Sequence, residues 1–321
     1  MNNVIRQVFY FMLLLSPLIV VSLATATVVL LILGNWITAI VLLCCTTIVN
    51  WHTKVFAINV SGKQTSRNYR GQLKILTYNV NRAYADSENS CNDSDLVNTI
   101  LAQEPDIILL QEFNPDLHKQ VNEVLTKQYQ YGSKNDAGSR FKSVYSKYLI
   151  ENYQQLNEGD DVLPICLMRL NINGCLCWIV NCHLMSNNVS VVNRAVRRKG
   201  VNAIRWSKKV IKNICHGYEI RQKQSEVLIN YIREIQEPVL VCGDFNDICC
   251  SSTLRKFERV GLVDAWWNNG FGFGFSFSGQ KVKFRLDHIL YSTNNLQLKR
   301  IHVISSKVSD HRPLVACFDI L

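Results

Sequence analysis

No Asp or Glu occurs before Asp86 in this chain of 321 residues, and no Asp, Glu, Lys or Arg occurs between Gln7 and Thr53. An uncharged stretch of that length excludes an ordinary solvated segment. A helix crossing a bilayer takes about 20 apolar residues, so the run is too long for one span. It fits two, near 8–33 and 36–51, forming a transmembrane helical hairpin broken at Gly34-Asn35 within a 1–53 anchor. The second span is short and carries Thr38, Thr46, Thr47 and Asn50, so the alternative is that it lies at the membrane interface. A cleaved signal peptide fits less well, because its apolar core runs to about 7–15 residues.

Charge is also missing from the expected turn, whereas Arg6 precedes the first span and Lys54, Lys63, Arg67, Arg70 and Lys74 follow the second. The positive-inside rule then places both ends, and the domain that follows, on the cytoplasmic side of the inner membrane. With one span only, that domain faces outward.

Among the twelve cysteines no spacing resembles a zinc site, and the chain has no internal repeat. A domain of this size needs no disulfide staples, and Cys175, Cys177, Cys242, Cys249, Cys250 and Cys317 lie in or beside apolar segments, where a free thiol packs as a small hydrophobe. The 48% hydrophobic content excludes a disordered chain. A formal net charge of +10 favours an acidic partner, whether nucleic acid, phosphorylated substrate or anionic lipid.

Residues 54–72 have the composition of a basic linker, and 73–321 carry the pattern of a mixed α/β domain. Strand-length apolar runs occur at Leu73–Val80, Asp106–Gln111, Ile165–Leu170, Cys175–Cys182, Val239–Cys242, Leu286–Tyr291 and Leu314–Phe318. Helical spacing predicts helices over Asp95–Gln103, Leu117–Lys127, Val196–Ile214 and Gln222–Ile235. Asn173-Gly174 predicts a hairpin, so a purely parallel sheet is not expected.

Polar side chains gather where these strands end: Asn79, Glu112, His183, then Asp244 and Asn246. Singly, each is what caps a helix or opens a turn. Together, carboxylates, amides and histidines are the inventory for holding a hard cation and activating water beside a phosphate.

The runs Thr77-Tyr78-Asn79-Val80, Leu110-Gln111-Glu112, Gly243-Asp244-Phe245-Asn246, Leu286-Asp287-His288-Ile289 and Ser309-Asp310-His311-Arg312-Pro313 resemble, in order, the motifs of the endonuclease/exonuclease/phosphatase superfamily. The resemblance spans Leu73 to the C-terminus and implies a four-layer α/β/β/α sandwich of the deoxyribonuclease-like type. It also implies a divalent metal, Mg²⁺ or Mn²⁺, held by Glu112 with Asn79 and Asp310. His311 would be the general base or an electrostatic partner of the phosphate, oriented by Asp287. Asp244 and Asn246 would position water and phosphate, and His183 would donate to a phosphoryl oxygen or the leaving group. Arg140 and Lys142 are candidate phosphate contacts, although no acidic or phenolic residue matches the family pattern near Ser146-Lys147. His288, on the opposite face of its strand, is expected to be structural.

Two further stretches stand outside those motifs. Arg194, Arg197, Arg198, Lys199, Arg205, Lys208, Lys209 and Lys212 form a basic run that is a solvated face, a nucleic-acid track or a lipid-facing surface. Trp266–Gly279 interleaves Phe with Gly and is expected to form a hairpin packed on the sandwich, or else a base-stacking or lipid-inserting loop. The expected protein is a monomeric, membrane-anchored, metal-dependent phosphoesterase acting on nucleic acid, a phospholipid headgroup or a small phosphate ester, with no protein partner. The alternative is a membrane-tethered phosphate- or lipid-binding module of the same fold without turnover.

Overall fold

The computed structural model describes residues 13, 15–59, 71–80, 93–132, 142–156, 165–187, 203–279 and 283–321. Its first sheet runs, edge to edge, β15 (Leu296–Val303), β16 (Leu314–Ile320), β2 (Gly71–Asn79), β3 (Ile107–Gln111), β5 (Lys142–Ser146) and β4 (Tyr131–Gly132). The second runs β10 (Leu262–Asp264), β14 (Asp287–Ser292), β9 (Val239–Asp244), β8 (Cys175–His183), β7 (Ile165–Ile172) and β6 (Leu149–Leu156). Each sheet has one parallel pair at its centre, β2 with β3 and β8 with β9, and antiparallel neighbours elsewhere.

Alternation along these strands makes the layers. Leu73, Ile75, Ile107 and Leu109 of the first sheet meet Met168, Leu170, Ile179, Leu240 and Ile289 of the second in a central core. The intervening residues Leu76, Tyr78, Ile108 and Leu110 turn outward onto α3 (Asp93–Leu101) and α4 (Lys119–Gln128). On the far side Val180, Val241 and Leu290 pack on α5 (Ala203–Arg233) and α6 (Ser252–Arg259). With side-chain period two, one face of each strand feeds the shared core and the other a helix layer. The expected four-layer sandwich is therefore the architecture.

One polar bridge crosses the central layer. Gln111 Nε2 donates to Asn181 Oδ1 at 2.8 Å and to Thr77 Oγ1 at 3.0 Å, while Asn181 Nδ2 donates to the Leu110 carbonyl at 3.1 Å. Gln111 and Asn181 are both fully buried, and they join the two sheets beside the strand ends that carry the site.

The helices predicted over Val196–Ile214 and Gln222–Ile235 are, over the described residues, one 31-residue helix, α5. Its lysines Lys208, Lys209 and Lys212 are exposed, and Arg194, Arg197, Arg198 and Lys199 lie outside the described residues. The Asn173-Gly174 hairpin forms as expected, with both residues at positive φ. The described cysteines are free, and seven of them are buried.

At the N-terminus α1 (Ser16–Ile32) and α2 (Trp36–Thr53) pack together across a break at Gly34, whose φ is +75°. Only α2, with 18 residues, is by length and composition enough to cross a membrane among the described residues. Ile32, Ile37 and Trp36 are at least 63% exposed, an apolar surface of the kind that lipid covers. The hydroxyls of Thr46 and Thr47 donate to the carbonyls of Leu42 and Leu43, one turn back, so these two of the polar residues that count against this span satisfy themselves within the helix.

Residues 54–59, expected to be linker, are docked on the domain instead. β1 (Ala57–Ile58) pairs with β11 (Phe271–Gly272), and Ala57 is fully buried in the central core. The remainder of that basic segment, 60–70, lies outside the described residues. The Gly/Phe stretch is likewise no packed hairpin: β11 pairs with β1, and β12 (Phe277–Ser278) pairs with β13 (Lys283–Phe284).

Gly243, beside Asp244, has φ +138°, and a Cβ there would stand 1.9 Å from the Cys182 carbonyl oxygen. Strain of a left-handed position adds to a backbone clash that no rotamer relieves. Gly243→Ala is expected to cost more than about 3 kcal/mol, read as a large loss of thermal stability in detergent; a melting temperature within two or so degrees of wild type would contradict this packing.

Candidate active site

Strand register brings the site together. His183, Asp244 and Asp287 stand opposite one another on the adjacent strands β8, β9 and β14. In the first sheet Asn79 stands opposite Gln111, so that Glu112 lies one residue beyond. Both Glu112 and Asn246 have left-handed backbones, φ +54° and +49°, which turn these side chains sharply off their strands.

Asp244 Oδ2 is the hub. Asn79 Nδ2 donates to it at 2.9 Å and to Glu112 Oε1 at 3.1 Å, linking the two sheets. The Nε2 atoms of His183 and His311 lie 3.8 Å and 3.7 Å from the same oxygen, and His183 Nε2 lies 3.7 Å from Glu112 Oε1. These are ion-pair separations longer than hydrogen bonds. Asp244 Oδ1 accepts from the Asn246 backbone N–H at 2.8 Å, and the Asn246 amide donates to the Leu184 carbonyl at 2.9 Å.

His311 Nδ1 meets Asp287 Oδ2 at 2.8 Å, which fixes the ring with Nε2 toward Asp244. Burial alone would lower the His311 pKa, but the charges of Asp287 and Asp244 outweigh it and raise it to about 10. The imidazole is therefore protonated at neutral pH, which favours the electrostatic role over that of general base. Burial pushes the Asp244 carboxyl up to about 7, against the pull of His311 and with the push of Asp287.

Eight of the sequence-predicted residues thus gather at the strand ends, with Asp310 joined through Ser309. The Ser309 hydroxyl donates to the Asn79 carbonyl at 3.0 Å and accepts from the His311 N–H at 3.1 Å, tying the Asp310–His311 turn to β2. Ser309 lies within one of the family-like runs, although the run gives it no role of its own. Ser276, whose hydroxyl accepts from the N–H groups of Leu286 and Asp287 at 3.1 and 3.0 Å, lies in none of them. The only sequence signal for Ser276 is a hydroxyl interrupting the Gly/Phe alternation.

Lys142 lies in β5 opposite Gln111, near Glu112 in the backbone register, whereas Arg140 is outside the described residues. His288 is fully buried, with Nε2 3.0 Å from the Asp247 carbonyl, in keeping with the structural role expected of it.

Among the described residues, Asp244, Asp287 and His311 form a trio of ligating side chains whose ligand atoms lie within 4.8 Å of one another. A protonated imidazole already occupies the middle of that trio, so it is first a proton site. As a donor through Nδ2 to two carboxylates, Asn79 braces them. The donor set nevertheless fits a divalent cation. Glu112, Asp244 and Asp287 supply three carboxylates against one imidazolium, and Asp287 Oδ1 is buried without a hydrogen-bond partner. Glu112, its side chain 32% exposed, is where a hard cation can bind oxygen and keep waters.

Because the folded His311 pKa lies above the ordinary value of 6.5, the stability its protonation contributes is lost as pH rises through about 10, while below about 7 protonation of Asp244 removes one of its two charged partners. The melting-temperature deficit of His311→Gln against wild type is expected to be largest above about pH 7 and to shrink as pH rises through about 10; a deficit constant over that range would show that His311 is not held protonated.

The chain is 29% identical over 114 residues to a UPF0294 protein of Vibrio cholerae, a match covering 34% of this chain and 37% of that relative. D. rerio TDP2, humanized by 14 mutations, shares the fold at a TM-score of 0.58, with 17% identity over 77% of this chain and 99% of that one. D. rerio TDP2 complexed with a single-strand DNA product gives 0.55, with 15% identity over 78% and 99%. Sphingomyelinase C from Streptomyces griseocarneus gives 0.54, with 16% identity over 77% and 99%. The family model for the Endonuclease/Exonuclease/phosphatase family matches residues 76–311, from β2 to His311, and the chain belongs to that family.

Proposed function

We propose that this protein is a membrane-anchored, divalent-metal-dependent phosphoesterase. Family members are typically metal-dependent phosphoesterases. The observation that carries the reading for this chain is the convergence on Asp244 Oδ2 of Asn79 and His311 from the side of the first sheet and His183 from the second.

Each residue has a role that follows from its surroundings. His311, kept protonated by Asp287 and Asp244, and His183 present two Nε2 atoms toward the site, where they donate to phosphoryl oxygens and stabilise charge that grows during in-line attack. Asp244, with a pKa near neutrality, accepts the proton of the attacking water. Asn246 fixes the Asp244 carboxylate through its backbone N–H. Glu112, with Asn79 bracing it and Asp310 beside His311, would hold Mg²⁺ or Mn²⁺, which would supply positive charge against that of the phosphate. Lys142 and Arg140 are candidate phosphate contacts. Relatives named for a sphingomyelinase and for a single-strand DNA product make phospholipid headgroups and nucleic acid the two substrate classes to assay first.

In full-length protein with Mg²⁺ and a generic phosphodiester, Glu112→Gln is expected to lower kcat by about 100-fold or more, and chelator to abolish turnover. Asp287→Asn is expected to reduce kcat far more than it raises KM, since the interaction it removes matters in the transition state. Turnover that survives both the Glu112 change and excess chelator would overturn the proposal. Binding without turnover by the wild type would favour the non-catalytic module.

The anchor reading rests on the uncharged Gln7–Thr53 run, the α1–α2 pair and the basic residues that flank it. A reporter fused after Arg70 is expected to be active in the cytoplasm and one fused after Asn35 outside it. An Arg70 reporter active only outside would turn the catalytic domain outward.

A further inference from the structure

The segment that leaves the anchor is built into the domain by contacts that lead to the catalytic pair. Directly after α2, Lys54 takes a left-handed backbone, and Asn50 locks the turn by donating to the Phe56 carbonyl at 2.8 Å and accepting from the Phe56 N–H at 2.9 Å. Cys249 Sγ donates to the Thr53 carbonyl at 3.2 Å. Buried Arg285 donates to the Lys54 carbonyl at 3.2 Å while it clasps Asp264 through bonds of 2.9 and 2.8 Å. Beyond the turn, the Phe56 ring lies edge-on to Phe273, with centroids 4.9 Å apart. Phe273 stacks in turn on Phe275 at 5.0 Å. Asn59 Nδ2 donates to the carbonyls of Trp267 and Gly270 at 2.9 and 3.2 Å.

The far end of the same loop holds the site. Ser276 accepts the N–H groups of Leu286 and Asp287, and its carbonyl accepts the Arg312 N–H at 2.7 Å. Phe277 bridges to His311, with rings 5.0 Å apart, and the Ser278 N–H donates to the Asp310 carbonyl at 2.8 Å. Residues 271–278, which contain two glycines at positive φ, Gly272 and Gly274, are therefore pinned at one end by residues 56–59 and at the other by Asp287 and Asp310–Arg312. Arg285, two residues before Asp287, is pinned to Lys54 as well.

We infer that residues 53–59 are a positioning element of the active site, in which Phe56 and Asn59 hold the 271–278 loop so that it sets the Asp287–His311 pair. The anchor is then more than a tether, and a domain cut at residue 72 lacks both the strand partner of Phe271-Gly272 and the carbonyl that fixes Arg285. The inference rests on the phosphoesterase reading only for its kinetic readout.

The test compares full-length wild type with Asn59→Ala and with the Phe56→Ala/Asn59→Ala double variant, all in detergent micelles, on a generic phosphodiester with Mg²⁺. The double variant is expected to lose about tenfold in kcat with KM within twofold, and Asn59→Ala to lose less. Amide deuterium exchange over 271–278 and over 309–312 should rise while the β2–β3 pairing stays protected, and Phe56→Tyr in place of the Phe56 alanine should bring both readouts back to the Asn59→Ala level. Trp36→Ala, at the other end of α2, should change neither. Wild-type kcat in the double variant, whether or not the loop exchanges faster, would overturn the inference. If the wild type hydrolyses nothing, the phosphoesterase reading falls on its own; faster exchange at 309–312 in the double variant would still support the positioning role, and unchanged exchange would overturn it.

Discussion

Two carboxylates, Asp244 and Asp287, are about 1% exposed and share one imidazole, and the rest of the molecule is arranged to make that tolerable. Buried charges of one sign repel in a medium that screens poorly, and each loses its hydration. His311 supplies the positive charge, Asn79 a donor from the opposite sheet, and the Asn246 backbone a third contact. Every one of these has to be held in place by something stiffer than a surface loop. The strand register of β8, β9 and β14 does this for the acids, and the Ser309 and Ser276 hydroxyls do it for the turns beyond.

Glycine beside the hub has the same origin. Asp244 can come so close to β8 only because Gly243 lets its backbone lie against the Cys182 peptide, in space that a single methyl would fill. The sheet thus gives up a side chain to bring His183 and Asp244 level. The same compactness keeps the site partly open at one edge, where Glu112 alone of the three carboxylates meets solvent.

Much of this was legible in the sequence because strand ends announce themselves: an apolar run that stops at Asn79, Glu112, His183 or Asp244 says both where the strand is and what it carries. The sandwich layers follow from the alternation in those same runs. What was not legible depended on partners distant in the chain. The charge state of His311 comes from Asp287 and from Asp244, the latter 67 positions away, and no local pattern encodes it. α5 reads as two helices because Gly217 and neighbouring charges interrupt its apolar stripe, yet Arg221 inside it is fully buried, paired with Asp247 and bonded to the Met185 carbonyl. Residues 54–59 have a linker's composition, and only the strand pairing with Phe271-Gly272 shows that they belong to the domain. Edge strands such as β6 and β15 were missed because their half-exposed faces dilute the alternation.

The bridge from Gln111 to Asn181 bears on how the chain avoids wrong structures. Between otherwise apolar sheet faces, an amide finds a partner in one alignment only. A one-residue slip of either sheet would strand two amides in hydrocarbon, at a cost of about 1–3 kcal/mol for each unmet group, and would turn the alternating apolar faces the wrong way. The pair therefore works as a key that admits the native alignment of the two sheets and penalises its near neighbours, and the strand ends that meet across the sandwich inherit their accuracy from it.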